Sequence, residues 1–134
     1  MIKKLVVLLL LFTSTFVHSE WKYVTSTKDK DVDFYIDFDT LKRKDNLVTV
    51  WMKSEFKTTQ RDSIFDIFSG YLSSRTLEQW DCVDKTTRTI SFDNFSKNNL
   101  EGKIVQSESM VTSVPYSIRP DTSGSRLFKV ICNK

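Results

Sequence analysis

From residue 20 onward the chain alternates between apolar and polar positions. The clearest stretch is Leu47–Lys53, where Val48, Val50 and Met52 face one way and Leu47, Thr49 and Trp51 the other. A two-residue period is the mark of a β-strand, and two partly apolar faces indicate a central strand covered on both sides. Trp21–Thr25 and Asp33–Phe38 show the same period, the second with Phe34, Ile36 and Phe38 on one face. Tyr71–Cys82, Lys85–Phe95 and Lys103–Met110 are three further strands, the middle one with Arg88, Ile90 and Phe92 on one side and the last with Ile104 turned inward. Polar turns separate them at 26–31, 83–84 and 98–102, and Lys42–Asn46 is a charged hairpin turn in which Asp45 and Asn46 tolerate left-handed backbone. Val111–Arg119 reads as irregular or extended chain.

The period changes near the C-terminus. Leu127, Val130 and Ile131 recur at helical spacing after Pro120, with Asp121 as the expected N-cap and Ser123-Gly124-Ser125 weakening the first turn. The pattern therefore predicts an α+β, mainly β fold: a single antiparallel sheet of about six strands with one C-terminal helix. Ser54–Gly70 resists assignment, because Ile64, Phe65, Ile67 and Phe68 suit a helical turn and a strand equally well.

The first residues follow another logic. Lys3 and Lys4 precede an unbroken apolar run, Leu5–Leu11, and Val17 and Ser19 supply small residues at the −3 and −1 positions of a cleavage site. This is the order of a secretory signal peptide, expected to span 1–19 and to leave one domain over 20–134. The apolar stretch falls short of the ~20 residues a membrane-spanning helix needs, and no later segment reads as a membrane span. The full chain carries 20 Lys and Arg against 17 Asp and Glu. Removing Lys3 and Lys4 leaves 18 against 17, too even a balance for a nucleic-acid partner.

Export also bears on the cysteines. Cys82 and Cys132 are the only two, and an even pair in an exported chain is expected to form a disulfide joining the sheet to the helix. The lone histidine, His18, lies within the signal. The mature chain thus has no histidine for nucleophilic catalysis or for an ordinary zinc site, and no glycine-rich phosphate loop. Asp29, Asp31 and Asp33 imitate the start of a calcium loop, but Phe34 occupies the glycine position and Thr40 the bidentate glutamate position. Glu55, Glu78 and Glu108 are the carboxylates a histidine-free hydrolase would draw on, and no spacing singles out a pair. We expect no enzyme activity, cofactor or metal. The candidate partner-binding residues are the basic group Lys42, Arg43 and Lys44, and the apolar group Ile64, Phe65, Ile67 and Phe68. The second is either core or an interface.

Trp21-x-x-Val24, Tyr35-Ile36-Asp37 running into Asp39-Thr40-Leu41, and Val48-x-Val50-Trp51 come in this order, followed by Asp81-Cys82, Arg88, Pro120 and the terminal Cys132. In order and spacing the chain resembles the surface-adhesin protein E family of Gram-negative bacteria across essentially all of residues 20–134. The resemblance implies an antiparallel sheet with a disulfide-tethered C-terminal helix. It further implies an outer-surface location and binding to host extracellular or plasma proteins, with a homodimer through a sheet edge or through Ile64–Phe68 as one assembly. A periplasmic inhibitor or envelope accessory protein, binding an enzyme or a secretion partner, is the alternative.

Overall fold

The computed structural model describes residues 20–61, 70–109, 111 and 113–133. The signal segment and Ile64, Phe65, Ile67 and Phe68 lie outside the described residues.

The strands are β1 (Lys22–Ser26), β2 (Val32–Lys44), β3 (Leu47–Gln60), β4 (Tyr71–Asp81), β5 (Thr86–Phe95), β6 (Ile104–Glu108) and the short β7 (Tyr116–Ser117). The one α-helix among the described residues, α1, spans Ser123–Cys132. The first six strands pair antiparallel in chain order, and β7 adds to the outer part of β5 at Thr86 and Thr87. The fold is thus the expected mainly β sheet with a C-terminal helix, its first six strands joined in chain order and β7 returning to β5.

Several elements differ from the sequence expectation, each for a local reason. β2 does not stop at Phe38. It passes through an irregularity between Asp37 and Lys42 and resumes pairing, so Lys42, Arg43 and Lys44 face Thr49, Val48 and Leu47 as strand residues. Thr40 holds the irregularity together: its hydroxyl donates to Asp37 O at 2.7 Å and accepts from Trp51 N at 3.0 Å. The turn contracts to Asp45 and Asn46, with Asp45 at a φ of 55°. Arg88 and Phe92 do not share a face. A bulge leaves Ile90 unpaired, so Arg88 stands opposite Gln79 while Phe92 stands opposite Thr76, and the alternation reverses between them. Ile104 is not inward but 54 % exposed. It opens an edge strand and pairs with Phe95, and among the described residues no further strand pairs beyond it. The helix N-cap is Thr122 rather than Asp121. Thr122 Oγ1 accepts from Ser125 N at 3.2 Å and Ser125 Oγ accepts from Thr122 N at 3.1 Å, a reciprocal capping box that turns the weak Ser-Gly-Ser start into a defined one. Asp121 instead takes a left-handed φ of 58° and reverses the chain into the cap.

The core lies on one face of the sheet. Ile36, Val48, Val50, Met52 and Trp80 pack against Leu127 and Ile131 of α1. Register explains the set: Val48 faces Trp80, and Met52 lies between Ile36 and Thr76. Burying each large side chain contributes about 1.5–3 kcal/mol. At its N-terminal end α1 is held by Arg126, which donates to Thr25 Oγ1 at 2.6 Å and Ser26 O at 2.8 Å. At its C-terminal end the Cys82–Cys132 disulfide ties it to the residue following β4. Closing that loop, with a sequence separation of 50, contributes about 4 kcal/mol in the chain-entropy model.

Candidate functional site

The face of the sheet opposite α1 has a different chemistry. Among the described elements only the turn Asn98–Leu100 packs over it, beside β3, β4 and β5. Two cations lie flat on this face between aromatic rings. Lys53 Nζ sits 4.2 Å from the Tyr35 ring centre and 5.9 Å from that of Trp21, with Glu55 Oε1 at 3.5 Å. The Arg75 guanidinium lies 5.3 Å from the Trp51 ring and 5.9 Å from that of Phe95, and its Nη2 donates to Asp93 Oδ2 at 2.6 Å. The sheet register aligns both groups. Tyr35 pairs with Lys53, Lys53 with Arg75, and Arg75 with Asp93, so four strands place one residue each in a single row.

Such a row carries Tyr, Trp and Arg, residue types enriched in protein-binding surfaces, while Lys53 itself is buried among them. Its charges are fixed before any partner arrives. Asp93 also accepts a hydrogen bond from Ser107 Oγ, and this bond together with Arg75 holds its carboxyl below the usual carboxylate range. Glu55 is anchored by the turn: Asn98 Nδ2 donates to its Oε2 at 2.9 Å and Asn99 N to its Oε1 at 2.8 Å. The turn closes tightly at Gly102, whose φ is 79° and where a Cβ would come within 2.3 Å of Ser96 Oγ. A residue other than glycine there would displace the segment that holds Glu55.

The basic group has a mixed place. Lys42 and Lys44 are exposed at the end of β2. Arg43 Nη1 donates to Cys132 O at 3.2 Å, placing a cation at the C-terminal end of α1. The same corner holds the disulfide. Asp81 Oδ1 accepts from Asn46 Nδ2 at 2.8 Å, Val83 N at 3.0 Å and Asp84 N at 2.9 Å. These bonds lower the Asp81 pKa and fix the turn that presents Cys82. Two aspartates of the calcium-like stretch hold the local turn instead: Asp29 accepts from Thr27 Oγ1 and Asp31 N, and Asp33 accepts from Ser26 Oγ. Of the three glutamates, Glu55 belongs to the open face, Glu108 is exposed on the edge strand, and Glu78 is buried on the helix side. Among the described residues no three His, Cys, Asp or Glu side chains gather closely enough to hold a metal ion, and no helix is long and apolar enough to cross a membrane.

Sequence reasoning found the disulfide, set the basic group in a turn where the structure has the end of β2, and missed the aromatic–cation row. Its signal was present: Tyr35, Trp51, Lys53, Arg75 and Asp93 all carry odd numbers in adjacent strands. Only the pairing register turns that parity into a shared patch.

Comparison with known proteins agrees with the fold. Solved structures of Haemophilus influenzae protein E superpose well. Its crystal form II gives a TM-score of 0.63 at 14% identity, covering 87% of this chain and 92% of that one. A second structure of the same protein gives 0.61 at 14% identity over 87% and 89% of the two chains. The structure of protein E from non-typeable Haemophilus influenzae gives 0.59 at 17% identity, covering 89% of this chain and 79% of that one. At such identities the likeness speaks for the fold. No curated protein sequence matches the chain. The sequence pattern of surface-adhesin protein E matches residues 21–133, from the first strand to the end of the tethered helix. The chain belongs to the surface-adhesin protein E family.

Proposed function

We propose that this chain is exported after cleavage behind Ser19, and that residues 20–134 form one adhesin domain binding host extracellular or plasma proteins at the cell surface. The observation that carries the reading is the family match over 21–133. The open sheet face supports it, since a pre-ordered row of aromatic and charged side chains loses little side-chain entropy when a protein docks on it. Within this reading Tyr35, Trp51 and Arg75 form the centre of the contact, buried Lys53 supports the Tyr35 ring, and Lys42 and Lys44 add positive charge at the end of β2. Ile64, Phe65, Ile67 and Phe68 are the apolar group through which a second copy or a partner would pack.

Labelling intact cells with a membrane-impermeant reagent tests the location. Surface exposure predicts labelling without permeabilisation; labelling only after the outer membrane is opened would favour a periplasmic accessory role. Binding to immobilised plasma and matrix proteins tests the partner class. Trp51→Ala together with Arg75→Ala should weaken that binding more than tenfold, the ordinary effect of removing an aromatic and an arginine anchor of ~2 kcal/mol or more.

A further inference from the structure

On the helix side of the sheet, α1 and β7 do not close fully onto the strands. They leave a cavity of about 650 Å³ walled by Phe34, Met52, Trp80, Leu127 and Tyr116, with Glu78 among its lining groups. Small-molecule sites typically measure about 300–1,000 Å³ and combine apolar walls with a few placed polar groups.

Glu78 is out of keeping with its neighbours. It occupies the middle of β4, paired with Val50 on one side and Thr89 on the other, and is 8 % exposed. Its neighbours on that face, Val48, Val50, Met52 and Trp80, are apolar and buried. A carboxyl group at such a position is costly unless it is paired. Oε1 accepts from Thr89 Oγ1 at 2.7 Å. Oε2 lies 3.4 Å from Thr87 Oγ1, a hydroxyl that also reaches Gln79 O at 3.1 Å, and the Thr76 hydroxyl bonds the carboxyl as well. Among the described residues no ion pair includes Glu78, whereas Glu55 and Asp93 on the other face each have a cation. The buried Trp80 Nε1–H on the same wall has no acceptor, and an ammonium, itself only a donor, leaves it so. The opposite wall holds a helix N-terminus and one cation, whose exposed side chain is screened by water. The α1 N-terminus is already capped by Thr122, and Arg119 is an exposed side chain among the lining residues.

We propose that this cavity binds a small organic cation, an ammonium group carried on an aromatic or aliphatic body. The ammonium pairs with the Glu78 carboxylate, which has hydroxyl partners but no cation, and the body lies against Phe34, Trp80 and Tyr116. Aromatic walls add cation–π attraction to the ion pair. Tyr116 is 60 % exposed on the two-residue β7, so its ring can move aside for entry. This site is separate from the open face assigned to protein partners, and its test does not depend on that assignment.

Titrating the disulfide-intact, ¹⁵N-labelled exported protein with phenethylamine, and in parallel with 3-phenylpropionate, decides the matter by NMR. The amine should give saturable shifts at the Trp80 indole, Thr87, Gly124 and Leu127, and bind at least about tenfold more tightly than the acid. Glu78→Gln should keep the fold and abolish that preference. Tyr116→Ala, which alters only an exposed ring, should weaken the amine several-fold and decides the question if Glu78→Gln does not fold. The proposal is overturned by absence of saturable shifts at these residues, by equal affinity for amine and acid, by an amine preference that survives Glu78→Gln, or by unchanged amine affinity in Tyr116→Ala.

Discussion

On the open face of the sheet Asp93 meets Arg75 at 2.6 Å and a serine hydroxyl besides; on the helix face Glu78 meets threonine hydroxyls and no cation. Both carboxyls project from adjacent central strands, yet the first is held below the usual carboxylate range and the second is pushed above it by burial, which the threonine bonds offset only in part. The difference shows that position in a sheet does not set the energetics of a charge. What lies over the face does. Opposite α1 the arginine can lie flat on aromatic rings and keep its tip near water. Beneath α1 the carboxyl is desolvated by the same packing that makes the core.

The strongest way to break this contrast is to release the helix. Cys82→Ser should cost about 4 kcal/mol, since the closed loop is long. Thermal melting in non-reducing buffer would show a large drop, with Leu127 and Ile131 losing hydrogen-exchange protection. Next comes Arg75→Ala, which removes the Asp93 pair and the stacking on Trp51. With the Arg75 side chain 41% exposed, the pair is partly screened and the expected loss is about 1–2 kcal/mol. Denaturant melts of the single and double variants with Asp93→Asn would separate pairing from stacking.

The two carboxyls should answer acid in opposite senses. A lowered pKa in the folded state means Asp93 stabilises above its unfolded value of 3.8, a contribution lost as pH falls through the folded value. A raised pKa means the reverse for Glu78. Its protonated form is favoured in the fold, so its stabilising contribution is present below the unfolded value of 4.5 and lost as pH rises through the folded value. Glu78→Gln should therefore raise the melting temperature at pH 7 and change it little near pH 4. A melting temperature unchanged at pH 7 would mean the carboxyl is compensated after all. The smallest effect belongs to the exposed basic residues: Lys42→Glu and Lys44→Glu should shift stability by less than about 0.5 kcal/mol. Arg43→Ala, which loses its bond to the helix C-terminus, should cost about 0.3–1 kcal/mol. Chemical denaturation resolves that ranking.

Much of the sheet was legible because hairpins are local. Val48, Val50 and Met52 announced a strand through period alone, though with apolar residues on both faces the pattern did not say which one the helix covers. What could not be read were the irregularities. The extra residue at Ile90 reverses which face Phe92 takes, and the break at Asp37–Lys42 carries β2 on to Lys44; both depend on how two strands register. Glu78 was half legible. It shares parity with Trp80 and Cys82, but alternation does not say which face the helix covers. The helix start was misplaced by one residue because Asp121 and Thr122 are both good caps. Only the reversal of the chain at Asp121 decided between them.

By itself the sequence determined the kind of protein this is. Alternation fixed a sheet, the terminal stripe fixed a helix, and the cysteine pair linked them, because these signals rest on local periodicity and on one covalent bond. Tertiary structure alone decided how the two faces differ. Register gathered Tyr35, Lys53, Arg75 and Asp93 into one row on the open face. The docking of α1 enclosed Glu78 beside a cavity on the other. No local pattern encodes either outcome, since each depends on which residues the fold brings opposite one another and on whether water still reaches them.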